Sequence, residues 1–258
     1  MIGTKPVDEV RMWLMTWQEV EGAIAAGRRT AVIAVGASEQ HGPHLPEATD
    51  NLIGESLACR LARSLGDALV APVIPVGCSD HHLDFAGTLS IDADLLMALL
   101  DAYLASLRRH GFTRFIVFSS HGGNFPVLAE WRRRQPTDAV VISDLGGQVS
   151  AMLGAVRRFG REDLGGPHAD VTETALMLLL RPDLVREDLV EVGWVDPVPF
   201  VEMLDLGLRK LSPNGVLGDP RAATAEMGKA VFESVAEFLV SSVRVCLGEK
   251  RPRETTNA

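Results

Sequence analysis

Residues 30 to 35 read Thr-Ala-Val-Ile-Ala-Val, a short continuous apolar run rich in β-branched side chains. A run of this kind is a strand buried on both faces, which requires helices above and below it. Similar runs occupy 69 to 76, 114 to 119 and 139 to 143, with helical periodicity between them. Thr16-Trp17-Gln18-Glu19 has the form of a capping box, opening a helix that runs to about Gly27. Further helices are predicted over 50 to 65, 92 to 110, 171 to 180 and 222 to 245. In the second of these Leu96, Leu99, Leu100, Tyr103 and Leu107 form one stripe, and Gly111 closes it. Strands spaced by helices of roughly ten to twenty residues imply βαβ units. The predicted fold class is therefore α/β, a mostly parallel sheet flanked by helices on both faces. One domain is expected over residues 1 to 258, with its core at about 15 to 245 and a frayed polar tail over 249 to 258.

Composition narrows the function. Of 258 residues, 47% are hydrophobic and 23% charged, an ordinary globular balance. No apolar stretch reaches the ~18 residues of a membrane span. The first residues lack the apolar core and cleavage site of a secretory signal, so the cytoplasm is the expected compartment. Cys59, Cys78 and Cys246 form neither a CxxC pair nor an even disulfide framework. A net charge of −9 argues against nucleic acid, and Arg132 to Arg134 and Arg157-Arg158 read as solvated helix faces.

The polar motifs follow the strands. Segments 37 to 50, 77 to 90 and 120 to 124 fall at carboxyl ends of strands, where open α/β sheets bind ligands. Six of the seven histidines lie in loops; His110, at a helix C-terminus, suits the helix dipole and needs no further role. Glu39 and His41 are two apart, so an extended segment points both to one side, and Asp50 follows after Pro43 and Pro46 turn the chain. These are three hard or borderline metal ligands; the plain alternative is a polar loop with Asp50 as a helix N-cap. His121, in Ser120-His121-Gly122-Gly123-Asn124, opens on the same sheet edge, and its glycines permit close backbone approach.

Two further segments stay open at this level. Asp170 and Glu173 have capping-box spacing, so Glu173 is either a helix-end residue or a ligand or base. His168 is either a proton donor or a surface histidine. Ser79 and His82, in segment 77 to 90, either line a substrate pocket or belong to a structural loop. There is no GxSxG, HExxH, GxxxxGK[ST] or GxGxxG motif. Ser119 and Ser120 are too close in sequence to His121 to form a serine nucleophile pair with it.

Taken in order, Ser38 to Pro46 with Asp50, Phe85-Ala86-Gly87-Thr88-Leu89-Ser90, His121-Gly122-Gly123-Asn124, His168-Ala169 with Glu173-Thr174, and Gly215 to Pro220 resemble the creatininase (creatinine amidohydrolase) family over about residues 15 to 245. The resemblance implies a single α/β domain, a centre of two divalent metal ions, hydrolysis of amide-type C–N bonds by a metal-activated hydroxide, and a homo-oligomer such as a hexamer. It assigns Glu39, His41, Asp50 and His121 as metal ligands, with Asp50 bridging, and His168 to proton transfer. Creatininase carries a glutamate two residues after its ligand histidine, where this chain has Gly123. Family members with His-Gly-Gly-Asn use a later glutamate, which implies Glu173 as fifth ligand.

An all-N/O donor set suits Zn, Mn or Fe(II) without choosing among them. Ser79, His82 and Asn124 are expected to line the substrate, and Asn124 or Ser120 to orient His121. The substrate class is a small cyclic amide, a formamide or a peptide. Phe85 to Thr88, Pro167 to Ala169 and Gly215 to Pro220 look more like the members that trim the mycofactocin precursor than like creatininase. A different class, a metal-binding scaffold that has lost turnover, is the alternative.

Overall fold

The computed structural model describes residues 9–134, 138–160, 168–196 and 207–248; the tail expected to fray lies outside them. Four strands, β1 (Thr30–Val35), β2 (Ala68–Val70), β3 (Arg114–Ser119) and β4 (Ala139–Ile142), pair in the order β2-β1-β3-β4. Every pairing is parallel.

The sheet sorts its side chains by period two. Val32, Ala34, Ile116, Phe118, Val140 and Ile142 face one core, while Ala31, Ile33, Val35, Phe115, Val117 and Val141 face the other. The first core is covered by α2 (Thr49–Leu65), α5 (Leu145–Arg157), α6 (Val171–Leu180) and α7 (Ala225–Cys246). The second is covered by α1 (Trp17–Ala25), α3 (Ala93–Arg109) and α4 (Phe125–Arg132). Burial on both faces is why β1 needed no alternation of polar residues.

Local chemistry sets the helix ends. Thr16 Oγ1 accepts from Glu19 N at 3.3 Å while the Glu19 carboxylate accepts from Thr16 N at 2.7 Å, the reciprocal capping box. After α3, Gly111 takes φ of 99°, the left-handed value that favours glycine. The exposed Arg133 and Arg134 pair with Glu130, one turn earlier.

One strand is shorter than its sequence suggested. The apolar run from 69 to 76 pairs as β2 only to Val70, because Pro72 and Pro75 offer no N–H to a ladder. Ile74 returns for one isolated bridge with Val35, donating its N–H to Ala34 at 3.0 Å.

Register places the site. Val35 and Ser119 are direct partners, so the loops leaving β1 and β3 depart side by side. A third contributor, α6, reaches that edge by packing tightly on α7. A Cβ built on Gly228 would lie 2.0 Å from the Ala175 carbonyl oxygen. Gly228→Ala is therefore expected to destabilise the protein by about 1–3 kcal/mol through overpacking, read as a lower denaturant midpoint; an unchanged midpoint would refute this contact. No helix among the described residues is long and apolar enough to cross a membrane.

Candidate metal centre

Glu39 and His41 extend from the loop after β1, and both are buried. His41 Nδ1 lies 3.0 Å from the Glu39 carbonyl oxygen, a contact that makes Nδ1–H the donor and leaves the Nε2 lone pair free. Nε2 faces Asp50 Oδ1 at 3.5 Å and Glu173 Oε2 at 3.8 Å. His121 repeats the device with its nitrogens exchanged. Its Nε2–H donates to the Cys78 carbonyl at 3.1 Å, so Nδ1 faces Glu39 Oε1 at 3.1 Å and Asp50 Oδ2 at 3.4 Å.

Asp50 is not the helix cap that its position allowed. Helix α2 starts at Thr49 after Ala48, and Asp50 sits in the first turn with its carboxylate pointed at the two imidazoles. Ser120 Oγ donates to the Asp50 carbonyl at 2.7 Å, tying the start of α2 to the loop after β3. Each Asp50 oxygen thus meets a different imidazole.

Among the described residues, Glu39, Asp50 and His121 form one group able to hold a cation, and His41, Asp50 and Glu173 another. Glu39, His41 and His168 form a third. Among the described residues, neither Glu39 oxygen finds a hydrogen-bond partner, nor do His41 Nε2 and Asp50 Oδ2. Buried polar atoms left in this way are costly unless a cation or proton sits among them. Burial opposes protonation of His41, yet Asp50, Glu173 and Glu39 outweigh it and push that imidazole up to about 10. Burial likewise opposes protonation of His121, and Glu39 and Asp50 drive it well above its ordinary value. For Asp50, burial resists ionisation but His41 and His121 hold the carboxyl below its usual range. The pocket demands positive charge where the lone pairs converge.

The family profile described as creatinine amidohydrolase matches residues 13–243. The chain belongs to the creatininase family. Mycofactocin precursor peptide peptidase of Mycobacterium ulcerans (strain Agy99) is 34% identical over 224 residues, 82% of this chain and 83% of that protein. Creatinine amidohydrolase of Pseudomonas putida is 27% identical over 248 residues, 89% of this chain and 94% of that protein. A solved creatinine amidohydrolase structure superposes with a TM-score of 0.75 at 27% identity, covering 92% of this chain and 98% of the other. As a member of this metal-dependent family the protein is a hydrolase acting on C–N bonds.

At Gly123, where the resemblance to creatininase implies a glutamate, the local backbone of this chain leaves no room for a side chain. A Cβ at residue 123 would lie 2.3 Å from the Cys78 carbonyl oxygen and 2.5 Å from His121 Nε2. Glu173 brings a carboxylate from α6 to 3.8 Å from His41 Nε2, its side chain only 13% exposed. Its two readings coexist in one geometry. Asp170 caps α6 by accepting from Thr172 N and Glu173 N, whereas Glu173 Oε2 accepts from Ala169 N at 2.6 Å, one residue beyond a true capping box. Ala169 adopts φ of 51°, unusual for a residue with a Cβ, and this turns its N–H toward Glu173. Burial raises Glu173 to about 8, with Asp50 and Asp170 adding to it against His41.

The remaining predicted residues fall around this centre. His168 is buried rather than on the surface, its Nε2–H donating to the Gln40 carbonyl at 2.7 Å and its Nδ1 lying 3.8 Å from Glu39 Oε1. Burial, then the neighbouring His41, keeps it neutral, well below its ordinary value. His82 Nε2 lies 3.3 Å from Glu39 Oε1, and Ser79 Oγ lies 3.5 Å from His121 Nε2.

Asn124 is a brace rather than a substrate-lining residue. It is fully buried, Oδ1 accepting from Cys78 N at 2.9 Å and Nδ2 donating to the Gly36 carbonyl at 2.9 Å. Nor does Asn124 or Ser120 orient the His121 ring. The Cys78 carbonyl does so, and Asn124 acts one step away by holding the same peptide segment.

Gln40 went unnoticed in the sequence, where it is a plain polar residue between two ligand types. Its Nε2 donates to the Gly215 carbonyl at 3.2 Å and to His82 Nδ1 at 3.0 Å, while Oε1 accepts from Gly42 N at 2.9 Å. Gly215 has φ of 78°, and a Cβ there would lie 2.0 Å from Gln40 Oε1. The spacing of Gly215 from the first loop gave no signal of this contact.

Proposed function

We propose that this protein is a binuclear metal-dependent amidohydrolase that cleaves an amide C–N bond of a peptide substrate. The observation that carries the reading is the division of Asp50, one oxygen toward His41 and Glu173 and the other toward His121 and Glu39. Glu39, Asp50 and Glu173 supply three negative charges, and neutral His41 and His121 supply two lone pairs. Such a set matches two divalent ions and one hydroxide in charge. Zn, Mn and Fe(II) all suit the donors. When bound, the ions would lower the pKa of an attacking water and offset the charge that develops on the carbonyl oxygen.

The chain's own groups handle the rest. His168 is held as the Nε2–H tautomer by the Gln40 carbonyl, so its Nδ1 is the atom presented to the centre. That nitrogen can take a proton from the nucleophile and pass it to the leaving nitrogen, whose expulsion unprotonated would be slow. The Cys78 and Glu39 carbonyls keep the other two imidazoles in the tautomers that ligation needs.

A peptide substrate is favoured over creatinine because the relatives named as peptide peptidases reach 34% identity and because Gly123 removes the creatininase glutamate. The test is metal analysis after reconstitution with Zn, Mn or Fe(II), followed by hydrolysis of creatinine, a formamide and short peptides. Two ions per chain and peptide cleavage are expected. One ion or none at saturation, or turnover of creatinine above that of peptides, would overturn the reading. The homo-oligomer that the family implies belongs to the same proposal and is read by light scattering.

A further inference from the structure

Glu39 Oε1 meets three imidazole nitrogens, His121 Nδ1 at 3.1 Å, His82 Nε2 at 3.3 Å and His168 Nδ1 at 3.8 Å. By distance alone His82 would rank as a metal ligand ahead of His168. What decides is whether its Nε2 carries a lone pair or a proton, since a neutral imidazole has one nitrogen of each kind. That choice is made on the other side of the ring, where His82 Nδ1 lies 3.0 Å from Gln40 Nε2.

The Gln40 amide stands only one way round. Its Oε1 accepts from Gly42 N at 2.9 Å and its Nε2 donates to the Gly215 carbonyl at 3.2 Å, so turning it over would set oxygen against oxygen and N–H against N–H. His168 does not take the second amide hydrogen. Its own Nε2, 3.0 Å from Gln40 Nε2, is already a donor, giving its proton to the Gln40 backbone carbonyl at 2.7 Å. The remaining amide N–H therefore goes to His82 Nδ1. A nitrogen that accepts is bare, which leaves the ring proton on Nε2, on the side of Glu39.

We propose that Gln40 is a positioning residue that sets which imidazoles can hold metal, fixing His82 as a neutral N–H donor beside the Glu39 carboxylate and so barring it from the ligand set. An N–H in that place attracts a carboxylate oxygen and repels a cation. His41 and His121, turned by backbone carbonyls, offer lone pairs instead. Carbonyl acceptors thus make ligands of two rings, and an amide donor makes a non-ligand of a third. Gly215 belongs to the device, because any side chain there would strike Gln40 Oε1. The inference rests on the metal reading of the centre, and it deepens it by limiting the number of nitrogen ligands.

The test uses the full chain with isotope-labelled histidine rings, freed of metal by a chelator. Nitrogen–proton correlation spectra read which nitrogen of each ring is protonated, and His82 is identified as the ring missing from His82→Gln. Wild-type His82 is expected to have Nδ1 bare and Nε2 protonated. When zinc alone is added, that Nε2 proton should stay in place while the His41 and His121 signals shift. Gln40→Glu can still accept from Gly42 N but offers no N–H to the ring, so His82 Nδ1 should become protonated, and zinc should then displace the Nε2 proton. A role limited to packing would leave the protonated nitrogen where it was. A protonated Nδ1 in the wild type, loss of the wild-type Nε2 proton to zinc, or a bare Nδ1 in folded Gln40→Glu would overturn the proposal. Should Gln40→Glu fail to fold, the two wild-type measurements decide it. His41 and His121 unmoved by zinc would refute the metal centre, a separate result from the tautomer of His82 in the metal-free chain.

Discussion

Asp50→Asn is expected to empty both halves of the centre at once. The substitution keeps the shape of the side chain but removes the charge that each donor group shares through a different oxygen. Metal content should fall from two ions per chain toward none, and turnover by at least about 10³, since a metal centre of this kind supplies several kcal/mol of transition-state stabilisation. The fold should persist. Ser120 Oγ bonds the backbone carbonyl of residue 50 and not its side chain, so the start of α2 stays anchored. An unchanged far-ultraviolet circular dichroism spectrum would show this. Retention of both ions by Asp50→Asn would refute the shared-carboxylate arrangement.

Glu173→Gln separates the two roles proposed for one carboxylate. Gln can still accept the Ala169 N–H, and Asp170 still caps α6, so the helix end should hold. The group formed by His41, Asp50 and Glu173 should lose its ion, bringing metal content from two toward one and lowering turnover by about 10² or more. The metal-free protein should change in the opposite sense. Burial raises the folded-state value of Glu173 to about 8 from the ordinary 4.5. A raised carboxyl favours the folded state only while protonated, so above its ordinary range it costs stability, increasingly up to about pH 8. Gln removes that cost. The metal-free variant should therefore melt higher than the metal-free wild type at pH 8 and differ less near pH 5, as scanning calorimetry would show. Metal content and turnover both unchanged would return Glu173 to a purely structural role.

The sheet was legible because its strands obey a simple rule. Thr30 to Val35 is buried on both faces, and a fully buried strand leaves a continuous apolar run that few other structures explain. The overlong β2 shows where that rule ends, since hydrophobicity alone does not register that Pro72 and Pro75 cannot donate to a ladder. Helix α4 was legible only as the setting of Arg132, with no boundaries. Its start is marked by Pro126 in the first turn, just beyond the Gly122-Gly123-Asn124 segment that reads as loop.

The site divides in the same way. Glu39, His41, Asp50 and His121 stand out because ligand-type residues sit where parallel strands end. Asn124 stands beside them with equally suggestive chemistry, yet it is consumed by backbone partners from two other loops. Gln40 carries no local signal at all. Its role depends on a residue 175 positions away, which only the folded chain brings near.

The donor groups around Asp50 come from residues 39 to 50, from His121 and from Glu173, so no stretch of chain shorter than about half the protein contains a complete set for both ions. On the proposed assignment the ions act as removable cross-links between distant segments, binding the folded chain and not the unfolded one. During synthesis, the second ion cannot be captured until α6 has left the ribosome and docked on α7. Metal uptake would then be a late event that reports completion of the fold, and a nascent chain stalled before Glu173 could hold at most one ion.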